Sequence, residues 1–373
     1  MKLFGWRREA SRPGLSASGS RGGGVGMGDW PPSYEAQVRD GYARNAIAQR
    51  AVKLVAESIG DAPVEASSPA LLALATARMG GIRVLETVAA QLQLHGNAFV
   101  QVLRAPDDSP AALFPLRPER VTVEPDASGW PAAYRYAVAG RTTRLSADGP
   151  RPDVVHLKRF HPLDDHYGLG CLGAAASAIA VHNAAGAWNK ALLDNAARPS
   201  GALVYEPGDG STLSAEQFSR LRTEMEQGFT GAGQAGRPML LEGGLRWQPL
   251  SLTPADMDFV GLKGAAAREI AMAFGVPPML LGLPGDATYA NYREANRAVW
   301  RLTVLPLAGT VLDGLAQGLG GWFPDGWLRI DPDGVPALSE DRERLWASVT
   351  AADFITRAEK RAMVGFGDEG DSA

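Results

Sequence analysis

The chain has 373 residues, enough for two or three packed regions, and 45% of them are apolar, an ordinary fraction for a folded protein. Its 37 basic and 41 acidic residues leave a formal charge of −4, which excludes holding nucleic acid through an overall basic surface. The single cysteine, Cys171, excludes an internal disulfide.

Near the N-terminus only Leu3 to Trp6 lie between Lys2 and Arg7, too short for the apolar core of a signal peptide. Residues 9–33, rich in Gly, Ser and Arg, read as a flexible arm. From Tyr42 to Ile59, Ala48, Ala51, Val52, Val55 and Ile59 recur at helical spacing, and Gly60 and Pro63 close the segment. A second helix carries Leu85, Val88, Ala89 and Leu92 on one face and stops at Gly96. Strands are expected at Ala98–Arg104, Arg120–Glu124, Ala133–Val138, Arg141–Leu145 and Asp153–Phe160, so this region reads as α+β.

The pattern then changes. An Ala-rich helix between Leu172 and Ala197 carries Ala174, Ala178, Val181, Ala185, Trp188 and Leu192 at alternating spacings of four and three, a stripe suited to close helix packing. Pro199 ends it, and a compact insert follows. The insert holds a strand near Ala202–Glu206, a helix from Ser214 to Phe229, and a hairpin about Gly243-Gly244 between Met239–Glu242 and Leu245–Gln248. Ser214 and Gln217 form a capping-box pattern, with Phe218, Leu221 and Met225 on the expected buried face. Thr253 and Pro254 are placed to start another helix, which runs to about Phe274. A further helix begins near Asn291 and extends toward Leu319, with a kink expected at Pro306 because proline strikes the carbonyl of Leu302. The apolar run Leu302–Leu312 is broken by that proline and falls short of the roughly 20 residues of a membrane span, so no membrane partner is expected. Helices at Glu340–Val349 and Ala351–Val364 close the chain.

Several local sequences, in this order, resemble the portal family of long-tailed double-stranded DNA phages. They are Leu94-His95-Gly96-Asn97-Ala98, Val154–Leu157 leading to Tyr167-Gly168-Leu169-Gly170, Asp194-Asn195-Ala196 to Gly201, Ala255-Asp256-Met257-Asp258, and Ile270–Gly282, which reads IAMAFGVPPMLLG. The short chain and its Ala, Gly and Arg bias are similar to portals of gene transfer agents, the phage-like particles of alphaproteobacteria. The resemblance implies an α+β portal-type fold: an arm (1–30), a wing (31–170), two stem helices (171–198 and 254–275), a clip between them (199–253), a tunnel loop (276–291), a long kinked helix (292–325) and a crown (326–373). It implies a ring of about twelve subunits at one capsid vertex, closed by cyclic symmetry. The partners it implies are the large terminase packaging motor, the head-tail adaptor, the major capsid protein and double-stranded DNA. It implies no enzyme activity and no cofactor. Leu283, Pro284, Gly285, Asp286, Thr288, Tyr289 and Asn291 would lie in the tunnel loop, and Arg220, Glu224 and Trp247 would dock a partner at the clip.

Other motifs compete with this reading. Gly168-Leu169-Gly170-Cys171-Leu172-Gly173 satisfies the dinucleotide pattern G-x-G-x-x-G and would make the chain a nucleotide-dependent enzyme. A polar loop, His161–Tyr167, separates it from the preceding strand, and no acid ends a second strand, so a turn packed tightly onto the stem helix is the expectation. His156, His161 and His166 with Asp164 and Asp165 match no familiar metal-ligand spacing and read as an exposed loop. His95 reads as a cation at a helix end, and Cys171 as a packing residue. No G-x-x-x-x-G-K-[ST] loop occurs, so energy for DNA movement would come from a separate ATPase. A third alternative is a monomeric adaptor, which would form no ring.

Overall fold

The computed structural model describes residues 33–194, 201–206, 212–229, 244–249, 258–285 and 288–364, together with Leu15. Packing divides the chain into a larger unit, Met1–Ala176 with Ile270–Ala373, and a smaller unit, Ser177–Glu269.

In the larger unit a short helix α1 (Tyr34–Val38) runs into a π-turn, Arg39–Ala43, before α2 (Ala46–Asp61). The helix expected from Tyr42 therefore starts later. Asn45 caps it, its side chain accepting from the N–H of Ala48, and the π-turn takes up Tyr42. After β1 (Val64–Ala66) comes α3 (Pro69–Ala75), a helix not expected from apolar spacing, capped by Ser68 with Pro69 at its first position. The pair β2 (Arg78–Met79) and β3 (Ile82–Arg83) leads to α4 (Val84–Leu94), which packs against α2 through Leu85, Val88 and Leu92.

Two three-stranded antiparallel sheets follow. The first has the order β5 (Pro110–Leu116), β4 (Asn97–Arg104), β9 (Val154–Lys158), and the second the order β6 (Val121–Pro125), β7 (Pro131–Val138), β8 (Arg141–Ser146). Phe99, Leu116, Val121, Val123, Tyr134, Leu145 and Val154 join the two in one apolar core. Strand β5 was not expected. Pro115 stands opposite Val100, and a proline is tolerated there because β5 is an edge strand whose outer side needs no donor.

The smaller unit takes most of α5 (Cys171–Asp194), the antiparallel pair β10 (Gly201–Tyr205) and β11 (Leu245–Pro249), α6 (Ala215–Phe229), and most of α7 (Phe259–Ala273). The capping box forms: Ser214 Oγ accepts from Gln217 N at 3.2 Å, and Gln217 Oε1 accepts from Ser214 N at 2.9 Å. Phe218 is not on a buried face, however; it is 61% exposed. The expected hairpin arm at 239–242, the side chain of Met225, and the helix start at Thr253 and Pro254 lie outside the described residues.

Back in the larger unit, α8 (Tyr289–Val299), a π-turn (Trp300–Val304) and α9 (Leu305–Gly318) form one helical run. The N–H of Leu305 donates to Trp300 O, five residues back, so the extra residue of the π-turn sits just ahead of Pro306 and puts the proline in the first turn of α9. The stretch Tyr289–Gly318 is long and apolar enough to cross a membrane by length and composition. Its apolar face is nevertheless filled by protein: Leu307, Ala308, Val311, Leu312 and Leu315 are buried, and α9 packs on β9, α4 and β12 (Leu328–Ile330). Strand β12 pairs with β1, so residues 328–330, in the segment expected as the crown, lie beside a strand of the segment expected as the wing. The C-terminal helices are α10 (Ser339–Ala351) and α11 (Arg357–Met363).

Gly96 holds the corner between α4 and β4. Its φ is +83°, and a Cβ there would lie 2.4 Å from the carbonyl carbon of Leu169 and 2.5 Å from Gly170 N. Gly96→Ala combines left-handed strain with overpacking against backbone and is expected to cost about 2–4 kcal/mol in urea unfolding. Gly140→Ala, at φ +78° with open space around it, is expected to cost only the strain, about 1–2 kcal/mol.

Candidate functional site

Helices α5 and α7 touch within the smaller unit. The Trp188 ring stacks on Phe259 with centroids 4.2 Å apart and planes 12° apart, while Lys263 Nζ comes over Gly186. Position 188 meets 259 and position 186 meets 263, so the two helices run antiparallel. The His182 imidazole is pushed below its ordinary range, first by burial and then by the Lys263 ammonium. Of the small-residue stripe, Ala178 and Ala185 are buried, Val181 and Trp188 are half-buried, and Ala174 is exposed; the surroundings of Leu192 lie outside the described residues. Lys190 is exposed and pairs with Asp194 at 2.6 Å. The sequence reading missed Phe259, although Asp258 before it marks a helix start by accepting from Gly261 N. With Ala178 at 5% exposure, Ala178→Leu is expected to lower stability by about 1–3 kcal/mol, read as a reduced melting temperature.

On the insert, Arg220 is exposed on α6, Glu224 lies one turn further on, and Trp247 stands opposite Leu203 in the β10–β11 register.

The segment after α7 is more structured than a loop. Val276 is buried, Pro278–Leu281 form a 3-10 turn, and Gly282 closes it at φ +74°. Gly275 turns the chain out of α7 at φ +68°, where its carbonyl accepts from Thr303 Oγ1 at 2.6 Å and a Cβ would strike that hydroxyl. Thr288 caps α8 by accepting from Asn291 N, so Tyr289 and Asn291 belong to a helix and not to the loop. Only Leu283, Pro284 and Gly285 are described as irregular backbone before that cap; Asp286 and Ala287 lie outside the described residues. Tyr289 is 78% exposed at the helix start, and Arg293 lies over its ring. At the far end of α8 the buried Arg297 bridges Glu294 and Glu340, tying the helix to α10.

The Gly168–Gly173 turn has a structural explanation. Asn97 Oδ1 accepts from Gly168 N at 2.7 Å, and Asn97 Nδ2 donates to Gly168 O at 3.1 Å. A Cβ on Gly168 would lie 2.1 Å from Gly96 O, and one on Gly170 2.4 Å from Leu94 O. The glycines thus let this strand-like segment touch the α4–β4 corner, not the stem helix as expected, and leave no room there for a phosphate. A cleft of about 640 Å³ lies elsewhere, lined by Ala73, Leu74, Asp108, Arg151 and Trp322.

Of the expected exposed loop, Leu163 and Asp165 are exposed and His161 is half-buried, but His156 lies in a strand and His166 is buried. His156 sits in β9, stacked on Phe99 at 4.1 Å with Nε2 3.0 Å from Asn97 Oδ1, and burial pushes its imidazole down to about 3. His166 is buried, its Nε2 2.6 Å from Gly129 O. His95 caps α4 as expected, but burial lowers it to about 4, so at neutral pH it is no cation. Among the described residues no His, Cys, Asp and Glu gather as a metal site. Burial raises the Cys171 thiol despite Arg159 Nη1 at 3.0 Å from its sulfur, the opposite of an activated nucleophile. Below pH 6.5 the unfolded chain takes up protons that folded His156 and His95 refuse. Their stabilisation is therefore complete above 6.5 and is lost as pH falls toward 3 and 4, at about 1.4 kcal/mol per pH unit for each group. His156→Gln is expected to remove one proton's share of that slope in urea titrations between pH 5 and 6.5.

Residues 46–365 match the family model of the phage portal protein. The chain belongs to that family and is a portal subunit, the class of protein that rings one vertex of a capsid. It is similar over 92% of its length, and 96% of the other chain, to a protein in the virion of a native gene transfer agent particle, at 48% identity and a TM-score of 0.71. A chain in the neck of such a particle, computed with C12 symmetry, matches at 49% identity over 91% of this chain and 95% of that one, again with a TM-score of 0.71. A Rickettsia felis protein of no stated function is 40% identical over 87% of this chain and 88% of its own.

Proposed function

We propose that twelve copies of this chain close into a ring that passes double-stranded DNA during packaging and ejection, in a particle of the gene transfer agent kind. The observation that carries the reading is the nearly full-length likeness to a chain in a neck with C12 symmetry. The smaller unit supplies the stem, as α5 and α7, and the clip, as α6 with β10 and β11. The clip takes the large terminase packaging motor during filling and the head-tail adaptor afterwards, through Arg220, Glu224 and Trp247. The wing sheets face the major capsid protein.

Charge supports the conduit role. DNA that must slide is held back by every ion pair it forms, and residues 276–291 contain no Lys or Arg. Leu283–Gly285, Asp286, Thr288, Tyr289 and Asn291 form the channel contact, with Tyr289 and Asn291 on the exposed first turn of α8. Transient hydrogen bonds from Thr288 and Tyr289 and steric contact suffice there. The role asks for no catalytic residue and no cofactor, since the work of translocation falls to a separate motor.

Native mass spectrometry and negative-stain images of the purified protein test the ring directly; a lasting monomer would refute it. Replacing Leu283–Thr288 with a Gly/Ser linker of equal length is expected to leave ring formation intact and lower the DNA recovered per particle severalfold. Unchanged packaging and retention would remove the segment from the channel.

A further inference from the structure

The amide of Asn97 meets two imidazoles, and the backbone of Gly168 decides how each of them is protonated. Gly168 N only donates and Gly168 O only accepts, so the contacts at 2.7 Å and 3.1 Å fix which end of the amide is oxygen and which is nitrogen. His95 Nδ1, 3.1 Å from Asn97 Nδ2, is therefore an acceptor, and this ring carries its proton on Nε2. His156 Nε2, 3.0 Å from Asn97 Oδ1, is a donor. A second proton then has opposite consequences at the two rings. On His156 it goes to Nδ1 and leaves the Nε2 bond to Asn97 in place. On His95 it goes to the one nitrogen that Asn97 uses, where two donors would face each other, and His95 O, at 3.4 Å from Asn97 Nδ2, is a poor substitute.

We infer that His95 is the acid release of this clasp: a proton on its Nδ1 turns Asn97 away from Gly168 and frees the segment that leads into α5, while His156 holds. The packing separates the two rings in the same way. A Cβ on Gly170 would lie 2.9 Å from the carbonyl carbon of His95, so lifting residues 168–170 uncovers His95. His156 stays in β9, stacked on Phe99 at 4.1 Å and edge-on to Tyr134 at 5.6 Å. The other titratable groups at the crossing are Tyr34 of α1, edge-on to the His95 ring at 4.6 Å, Glu119 acting on Tyr34, Lys158 of β9 and His166 of the loop that follows. Lys158 is occupied by the carbonyl of Asp165, and His166 by that of Gly129. Burial, which lowers His95 to about 4, is relieved when the segment lifts. Opening is thus linked to one proton, a factor of about ten per pH unit below the ordinary imidazole range.

Cys171, the single cysteine, is buried next to Gly170 and reports the opening. Its reaction with dithiodipyridine in the full chain, divided by the rate in the urea-unfolded chain at the same pH, is expected to rise about tenfold from the ordinary imidazole value of 6.5 down to about pH 5. His95→Gln keeps an acceptor and does not titrate, so its profile is expected to be flat. His156→Gln is expected to keep the rise, although it changes the slope of stability in urea. A rise that survives in His95→Gln, or one that vanishes in His156→Gln, would overturn the inference. So would a flat profile in the unaltered chain, whether or not either variant folds.

Discussion

The exchange between Asn97 and Gly168 is the constraint on which the larger unit turns. One buried amide accepts from Gly168 N, donates to Gly168 O, and receives His156 on the same oxygen. It closes the end of the β4–β9 pair and fixes where the chain must be three residues before α5 starts. A buried amide left without these partners would cost about 1–3 kcal/mol for each group, so the arrangement admits little sliding. The glycines at 96, 168 and 170 are there because backbone meets backbone at distances that no Cβ permits. A pattern that looks like a nucleotide fingerprint is thus the trace of a close crossing.

The second constraint is the long helical run from Tyr289 to Gly318. Its C-terminal half is buried against β9, β12 and α4, while its N-terminal half begins at the exposed Tyr289 and Tyr292. The π-turn between the halves does what a plain proline kink would not: it shifts the hydrogen-bond register by one residue, so Pro306 loses no donor that the helix needs. Thr303, in that turn, holds the carbonyl of Gly275 at the exit of α7. The segment that follows α7 is thereby held at Gly275, while the Thr288 cap fixes the start of α8.

Electrostatics and burial divide the labour between the parts. His95 and His156 are kept neutral by burial and serve packing, whereas the charged residues gather in exposed ion pairs and at the helix junctions near Glu340. Exposed pairs contribute little to stability, generally below about 1 kcal/mol each. The apolar sheets and helices of the larger unit hold the fold, and the surface charge is left free to shape contacts with other chains.

The sequence by itself determined the α+β class, most strands, the helices at 84–94 and 215–229, the Gly96 stop, the Ser214–Gln217 box and membership of the portal family, because each of these is written in local spacing, caps or a contiguous motif. It did not reveal β5, whose two prolines mask a strand that only its edge position permits, nor the pairing of β1 with β12, where three-residue strands meet across some 260 positions of chain. Burial also escaped it. Phe218 has the spacing of a core residue and is exposed, while His166 has the composition of a solvated loop and is buried, and His156 lies half-buried in a strand. Tyr289 and Asn291 lie in a helix and not a loop because Thr288 captures the N–H of Asn291, a cap whose residue type is legible in the sequence but whose use the fold decides. Tertiary structure decided these points because burial and long-range pairing are properties of what lies opposite a residue, and local sequence specifies only the side that the residue presents.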